Sequence, residues 1–204
     1  GQLSSAEKLA LFLTEKFPKH QFAWKVLGGI FGQTNRKIQA LNAHQKAVEL
    51  SPTDAESHNN LGIALKVLGR RDEAEESYNK AISLKSDYAE AYYNLGITRK
   101  EMGRLEEAES SFTQAIIFKA NYAEAHNNLG NTLQELHRFD EAEKSYRKAI
   151  KAKPSYAEGH NNLGVILKGR SKLDQAEVSF RQAIEVKPDY AEAYCNLGDT
   201  LQEL

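Results

Sequence analysis

Small and hydrophobic residues return along the chain at one fixed spacing of 34 residues. The clearest marker is a Leu-Gly pair that recurs without insertion or deletion. Its copies are Leu27-Gly28, Leu61-Gly62, Leu95-Gly96, Leu129-Gly130, Leu163-Gly164 and Leu197-Gly198. A fixed period of roughly 20 to 50 residues indicates a repeat protein, in which each unit stacks on the next. The pattern therefore predicts one elongated array of repeats.

Numbering each repeat so that this glycine is position 8 defines the organisation of the chain. The predicted complete repeats are 21–54, 55–88, 89–122, 123–156 and 157–190. Residues 1–20 match the second half of a repeat, and residues 191–204 match the first half. We therefore expect a single array over 1–204 that is a fragment of a longer protein.

Each repeat contains the signals of two helices. Positions 8, 20 and 27 are small and positions 4, 7, 11 and 24 are mostly bulky, which favours two helices in close contact. Position 32 holds all four prolines, which end the preceding helix. Position 33 holds side chains that cap helices well, and a glutamate follows three residues later, so a capping box is predicted to open each first helix. The position-33 residues are Thr53, Asp87, Asn121, Ser155 and Asp189.

The run Trp24-x2-Leu27-Gly28-x2-Phe31, followed by Ala40, resembles the tetratricopeptide repeat (TPR) motif. The resemblance covers the whole chain. It implies an all-α fold, a right-handed TPR superhelix (α-solenoid) of about twelve antiparallel helices. Departures are few: Arg99 replaces an apolar residue at position 11, and His44 replaces an aromatic residue at position 24.

Composition narrows the choice of partners. The hydrophobic fraction is 41%, and 27 Lys and Arg against 28 Asp and Glu leave a net charge of −1. This balance lacks the basic excess of a nucleic-acid-binding protein. No apolar run approaches the roughly 18 residues that span a membrane. A single cysteine gives no disulfide framework, so an intracellular, cytoplasmic protein is expected.

Candidate catalytic groups do not converge in the sequence. His58, His126 and His160 occupy position 4, where other repeats carry Trp24 or tyrosine, so packing explains them better than metal binding. Cys195 has no histidine or aspartate at a recognisable motif spacing. We therefore predict no enzyme active site, no metal and no cofactor within this chain.

A row of asparagines is the strongest functional signal. Asparagine is a poor former of helix interiors, yet it fills position 6 in five repeats. On a helical wheel, position 6 lies near 240° and the core positions centre near 30°, each at about 100° per residue, so this row is not core. The row consists of Asn60, Asn94, Asn128, Asn162 and Asn196, and position 5 adds Asn59, Asn127 and Asn161.

This row is similar to the asparagine ladder of O-linked N-acetylglucosamine transferases. The resemblance implies that the asparagines face a concave groove and hold the backbone of an extended peptide. A carboxamide offers both a donor and an acceptor, so it can bind a peptide whatever its side chains. Lysines at position 12 are candidate selectors, although a solvated helix face is the simpler interpretation of them. They are Lys66, Lys100 and Lys168.

Several alternatives remain open at this point. The asparagines could bond to one another and hold the stack together, or recent duplication could have copied one asparagine five times. The array could be the substrate-recognition arm of a larger enzyme, such as a glycosyltransferase with a catalytic domain beyond Leu204. It could also be a scaffold that associates with itself end to end through its terminal helices.

Overall fold

The computed structural model describes residues 2–204, with side chains from Ser5 onwards. These residues form twelve α-helices and no strand. They divide into two compact units, 2–102 and 103–204. The N-terminal unit contains α1 (Gln2–Lys16), α2 (Gln21–Gln33), α3 (Lys37–Leu50), α4 (Ala55–Val67), α5 (Arg71–Leu84) and α6 (Ala89–Glu101). The C-terminal unit contains α7 (Leu105–Phe118), α8 (Ala123–Glu135), α9 (Phe139–Ala152), α10 (Ala157–Gly169), α11 (Leu173–Val186) and α12 (Ala191–Glu203).

The helices follow the 34-residue register throughout. The first helix of every complete repeat has 13 residues and the second has 14, which places them at positions 1–13 and 17–30. Alanines at position 27 are fully buried where the two helices meet. These residues are Ala47, Ala81, Ala115, Ala149 and Ala183. The prediction of paired helices held close by small residues is therefore confirmed.

The glycine of the Leu-Gly pair is required because the ring at position 24 lies directly against its backbone. A Cβ atom on Gly130 would lie only 2.5 Å from the ring of Tyr146, the position-24 residue of the same repeat. Gly62 stands in the same relation to Tyr78, at 2.6 Å. Both tyrosine rings are fully buried. The period seen in the sequence is thus a period of ring-on-backbone contacts between the two helices of a repeat.

Core residues cluster separately within each unit. In the N-terminal unit, one cluster includes Leu27 and Phe31, and a second includes Leu65 and Tyr78. In the C-terminal unit, one cluster extends over α8 to α12 and includes Tyr146, Leu163, Leu167, Phe180 and Leu197. Within each unit, the helices of these clusters bury their apolar residues against neighbouring helices, as expected of a repeat array.

The predicted capping box is wrong, because each first helix begins one residue later than it requires. In the repeat junctions, the N–H of position 34 donates to the carbonyl of position 31, for example from Tyr156 to Lys153 at 3.1 Å. Position 33 therefore lies inside a turn, and position 34 becomes the residue preceding the helix. In each of the helices α2 to α12, the side chain of the residue that precedes the helix makes no capping hydrogen bond.

The turn inside each repeat depends on one left-handed residue at position 15. Its backbone φ angle lies between 58° and 78° in all five repeats. Glycine adopts this conformation without strain, whereas a side chain with a Cβ does so at a cost. The residues are Asn35, Gly69, Gly103, His137 and Ser171.

Candidate functional site

The position-6 asparagines lie on the first helices and are all partly buried. Asn60 and Asn94 belong to α4 and α6 of the N-terminal unit. Asn128, Asn162 and Asn196 belong to α8, α10 and α12 of the C-terminal unit. Their neighbours at position 5 are much less accessible: Asn59 and Asn127 are each 5% exposed, and Asn161 is fully buried.

Hydrogen bonds join the two rows from one repeat to the next. In the N-terminal unit, Nδ2 of Asn94 donates to Oδ1 of Asn59 at 3.0 Å. In the C-terminal unit, Nδ2 of Asn162 donates to Oδ1 of Asn127 at 3.0 Å and to Oδ1 of Asn131 at 3.2 Å. Asn94 and Asn162 therefore use their side-chain N–H groups, in part or in full, inside the stack.

A carboxylate fixes the direction of these bonds in the last repeat. Nδ2 of the buried Asn161 donates to Oε1 of Glu192 at 3.1 Å. Because a carboxylate only accepts, Asn161 must turn its own Oδ1 the other way, where it accepts from Nδ2 of Asn196 at 3.0 Å. The carbonyl oxygen of Asn196 then points away from Asn161. Glu192 is one of the position-2 glutamates that the sequence assigned to helix capping.

Threonines at position 10 secure the backbone behind three of the asparagines. Their hydroxyls donate to the carbonyl of the position-6 residue one turn earlier. Thr98 bonds to Asn94 at 2.9 Å, and Thr200 bonds to Asn196 at 2.7 Å. Thr132 contacts Asn128 in the same way at 2.8 Å. All three threonines are fully buried, so these bonds are shielded from water.

The position-12 lysines are paired with acidic residues of the following repeat. Lys66 Nζ lies 3.7 Å from Glu101, and Lys168 Nζ lies 3.2 Å from Glu203. Both lysine side chains are only about one-fifth exposed, at 21% and 23%. A solvated helix face is therefore an incomplete description of these lysines. Lys100, the third candidate selector, also interacts with its surroundings.

The position-4 residues share a hydrogen bond that the sequence did not suggest. Trp24 donates its Nε1–H to the carbonyl of Pro18 at 2.9 Å. His58 and His160 place Nε2 at the same 2.9 Å from the carbonyls of Pro52 and Pro154. Because a carbonyl only accepts, Nε2 carries the proton in both histidines. Histidine replaces tryptophan here as a donor as well as a packing group.

A cavity of about 350 Å³ opens in the N-terminal unit, between α2, α3 and α4. Gly28, Gly29 and Gly32 of α2 form one side, His44 of α3 forms another, and Asn60 of α4 borders it. Sequence reasoning missed this cavity. The signal was available, because Gly29 and Gly32 stand at positions 9 and 12, where the other complete repeats carry larger side chains.

Burial controls the protonation of two histidines. Loss of water around His44, helped by the charge of Lys25, lowers the pKa of its imidazole to about 4. Burial also lowers the pKa of His126, with Lys148 adding to the shift, although a backbone hydrogen bond to Ala120 opposes it. His44 is therefore neutral near pH 7, and its buried Nδ1 has no hydrogen-bond partner.

Among the side chains described from Ser5 onwards, no group of three or more His, Cys, Asp or Glu is arranged to hold a metal ion. No helix within residues 2–204 combines the length and the apolar character needed to cross a membrane. Cys195 is exposed and forms no disulfide with the described residues.

Helix pairs with a glycine-on-ring contact, at Gly28, Gly62, Gly130 and Gly164, define a helical-repeat protein. Models of the tetratricopeptide repeat match residues 53–116 and 123–156, and a TPR repeat model matches 168–204. These matches together cover more than half of the chain. The chain belongs to the tetratricopeptide repeat family, and the predicted all-α TPR fold is confirmed. No curated protein matches the sequence.

Solved structures agree with this assignment. MamA is 26% identical with a TM-score of 0.72, and the alignment covers 81% of this chain and 97% of MamA. YrrB, described as a TPR protein with an unusual peptide-binding site, is 20% identical with a TM-score of 0.69, covering 96% and 98%. The APC/C hetero-tetramer Cut9-Hcn1 is 18% identical with a TM-score of 0.84, covering 98% of this chain and 40% of the matched one. At these identities, YrrB and Cut9-Hcn1 support the fold alone.

Proposed function

We propose that this chain is a protein-interaction module that binds an extended segment of another protein through its position-6 asparagines. The observation that supports this most directly is the carbonyl oxygen that each bonded asparagine leaves available. Asn94, Asn162 and Asn196 all donate Nδ2 into the stack, and their Oδ1 atoms accept no hydrogen bond from the described residues. A row of acceptors suits a peptide backbone, which supplies one N–H per residue.

In this proposal the buried position-5 asparagines orient the ladder and do not themselves touch the ligand. Asn161 is held between Glu192 and Asn196, so the amide of Asn196 has one direction only. A side chain fixed before binding loses less conformational entropy when the ligand arrives. Under this proposal the asparagines serve both purposes. Their Nδ2 groups bond within the stack, and their Oδ1 atoms bond to the peptide.

The spacing of the repeats matches an extended ligand. First helices of neighbouring repeats that pack side by side lie roughly 8–10 Å apart, and an extended chain advances about 3.3–3.6 Å per residue. Each asparagine of one unit would therefore meet about every third ligand residue. The lysines at position 12 supply little free charge, because Lys66 and Lys168 are already paired. Backbone contacts would then dominate over charge selection.

A selected peptide tests this proposal. A random 12-residue library displayed on phage is selected on the wild-type chain, and the dissociation constant of one labelled winner is measured by fluorescence anisotropy. The double variant Asn162→Ala/Asn196→Ala is expected to bind roughly tenfold or more weakly, since each lost hydrogen bond is worth about 0.5–1.5 kcal/mol. The matched control Asn42→Ala/Asn79→Ala removes two exposed asparagines from second helices and should bind normally.

A backbone-modified peptide separates the ladder from side-chain recognition. Methylating single backbone nitrogens of the selected peptide removes donors without changing its side chains. Binding should weaken at about every third residue and stay unchanged between. Equal affinity of the wild type and Asn162→Ala/Asn196→Ala, with circular dichroism confirming that both are folded, would contradict the proposal.

Two other functions from the sequence remain proposals with their own tests. If the chain is the recognition arm of a larger enzyme, the gene should encode a catalytic domain beyond Leu204. If it associates end to end, the mass measured by light scattering should rise with concentration. Leu9 and Phe12 of α1 and Leu201 of α12 are exposed, which is the observation that favours self-association.

A further inference from the structure

The cavity in the N-terminal unit occupies space that another repeat fills with its own side chains. In repeat 123–156, the hydroxyl of Tyr146 lies 2.8 Å from Oδ1 of Asn131 and 2.9 Å from Oε1 of Gln134. These residues stand at positions 24, 9 and 12. The same positions of repeat 21–54 carry His44, Gly29 and Gly32. The first repeat therefore lacks a phenol tip and two amide side chains at this place.

Apart from Lys25 and the exposed Lys37, the walls of the cavity carry no charge. His44 carries no charge near pH 7, and Lys25 is held by the carboxylates of Asp54 and Glu56. Ala40, Ala64, Ile63 and Val67 supply apolar surface. An anionic occupant would lose part of its water and gain only Lys37, an exposed lysine whose ion pair water would screen. A cationic occupant would meet no carboxylate in the lining. An uncharged occupant with a large apolar face fits these walls best.

The size of the cavity favours an aromatic ring. Its volume of about 350 Å³ lies at the lower end of the range for sites that hold small organic groups. An aromatic side chain buries a large apolar area and keeps a polar edge that needs a partner. The buried Nδ1 of His44 has no partner, and the amide of Asn60 borders the same space.

We propose that this cavity is a pocket for one aromatic side chain of the bound protein segment, entering between α2 and α4 and lying over Gly29 and Gly32. The inference rests on the proposed function, because Asn60 belongs both to the asparagine row and to the wall of the pocket. It adds a specificity that backbone contacts alone lack. The proposal predicts an aromatic residue at one fixed position of any peptide that binds the N-terminal unit through Asn60.

N-acetyl-L-tyrosinamide is the probe for this pocket, followed by NMR titration of the labelled chain. The same titration is repeated with N-acetyl-L-phenylalaninamide, N-acetyl-L-leucinamide and N-acetyl-L-aspartic acid amide. These compare a second aromatic side chain, an aliphatic one and a charged one. The filling variant is Gly29→Asn/Gly32→Gln, which restores the residues of repeat 123–156. A Cβ at either glycine meets no atom within 4 Å, so the variant should fold. The matched control is Gly169→Glu, an equally open glycine of α10.

The expected result is saturable shifts at His44, Asn60 and the α2 glycines with the two aromatic amides, at a millimolar dissociation constant. The leucine and aspartate amides should bind roughly fivefold or more weakly, because they cover less apolar surface or bring an unpaired charge. The filling variant should lose the shifts, and Gly169→Glu should keep them. His44→Tyr fills the pocket by another route and should lose them too.

Other outcomes would overturn the pocket. These are shifts that do not saturate, equal affinity for the leucine or aspartate amide, or unchanged binding to both folded filling variants. The two proposals fail separately. Asn162→Ala/Asn196→Ala should lose the selected peptide and keep N-acetyl-L-tyrosinamide, since these asparagines are far from the pocket in sequence and belong to the other unit. If the amide fails to bind while the peptide still needs the asparagines, only the pocket is wrong.

Discussion

Repeats 21–54 and 123–156 have the same helix lengths and the same register but differ in how they fill the space beside the position-8 glycine. In the later repeat, Tyr146 covers Gly130 and reaches on to two amide side chains. In the earlier repeat, the ring of His44 also lies over Gly28, but it is shorter than tyrosine and a cavity remains beside it. The backbone depends on a ring lying over the glycine, whereas the space beyond that ring is free to vary. A repeat can therefore acquire a binding pocket without changing its fold.

The largest expected effect is the loss of the ring in the filled repeat. Tyr146→Ala should lower the free energy of unfolding by about 3–5 kcal/mol, because a fully buried ring leaves a cavity behind. His44→Ala should cost only about 1–2 kcal/mol, since its ring already borders open space. Urea unfolding followed by circular dichroism measures both values. Equal losses would mean that the two repeats do not differ in packing.

The second effect concerns the glycines themselves. Gly130→Ala should destabilise by roughly 1–3 kcal/mol, since the new methyl group would lie 2.5 Å from the Tyr146 ring. Gly29→Ala should instead stabilise by about 0.5–1 kcal/mol, because alanine favours the helix and nothing lies within 4 Å. The same urea series provides the measurement. Destabilisation by Gly29→Ala would show that this glycine has a close neighbour.

The third effect is the pH dependence at position 24, where one repeat carries His44 and the other carries Tyr146. His44 has a pKa of about 4 when folded, against about 6.5 when unfolded. Between these values the unfolded chain binds more protons, so stability is complete above pH 6.5 and falls as the pH drops towards 4. The loss between pH 7 and pH 5 should be about 1–2 kcal/mol.

His44→Tyr should remove this part of the pH dependence, because tyrosine stays neutral throughout that range. Urea midpoints measured at several pH values provide the comparison. His126 has a lowered pKa as well, so a smaller slope of the same sign should remain in the variant. An unchanged slope would mean that His44 takes up its proton in the folded state as easily as in the unfolded one.

The smallest effect is at the left-handed turn. His137 and Asn35 both have φ of 58° at position 15. His137→Gly should stabilise by about 0.5–1 kcal/mol, whereas Asn35→Gly should change little, because asparagine tolerates this conformation better than histidine. Thermal unfolding of the two variants measures the difference. A stabilisation by Asn35→Gly as large as that by His137→Gly would contradict this explanation.

Much of the fold was predictable because packing imposes one residue type at one spacing. Gly130 and Ala149 are small since another helix leaves no room, and this requirement recurs every 34 residues. The helix starts were less predictable. Asp87 and Ser155 are as suitable for turns as for caps, and only the hydrogen bond from position 34 to position 31 decides between the two.

The candidate site was predictable in its residues but not in its connections. The unusual asparagines at position 6 were visible from helix propensity alone. That Asn161 is buried and bonded to Glu192 depends on side chains from successive repeats meeting in space, which a helical wheel of one repeat does not contain. The cavity exists because Gly29 and Gly32 have no side chains and the ring of His44 is shorter than that of a tyrosine. Only the three positions taken together reveal it.

The bond from Trp24 to the carbonyl of Pro18 has a spectroscopic consequence. Trp24 is the one tryptophan of the sequence, and it lies at the junction of α1 and α2. Its fluorescence therefore reports on that junction, whereas far-ultraviolet circular dichroism averages over every helix. If the two signals change at the same urea concentration, the array unfolds as one cooperative body. If the fluorescence changes first, the array unfolds locally from its N-terminal helix. The emission maximum then measures the stability of the junction of α1 and α2 separately from that of the whole array.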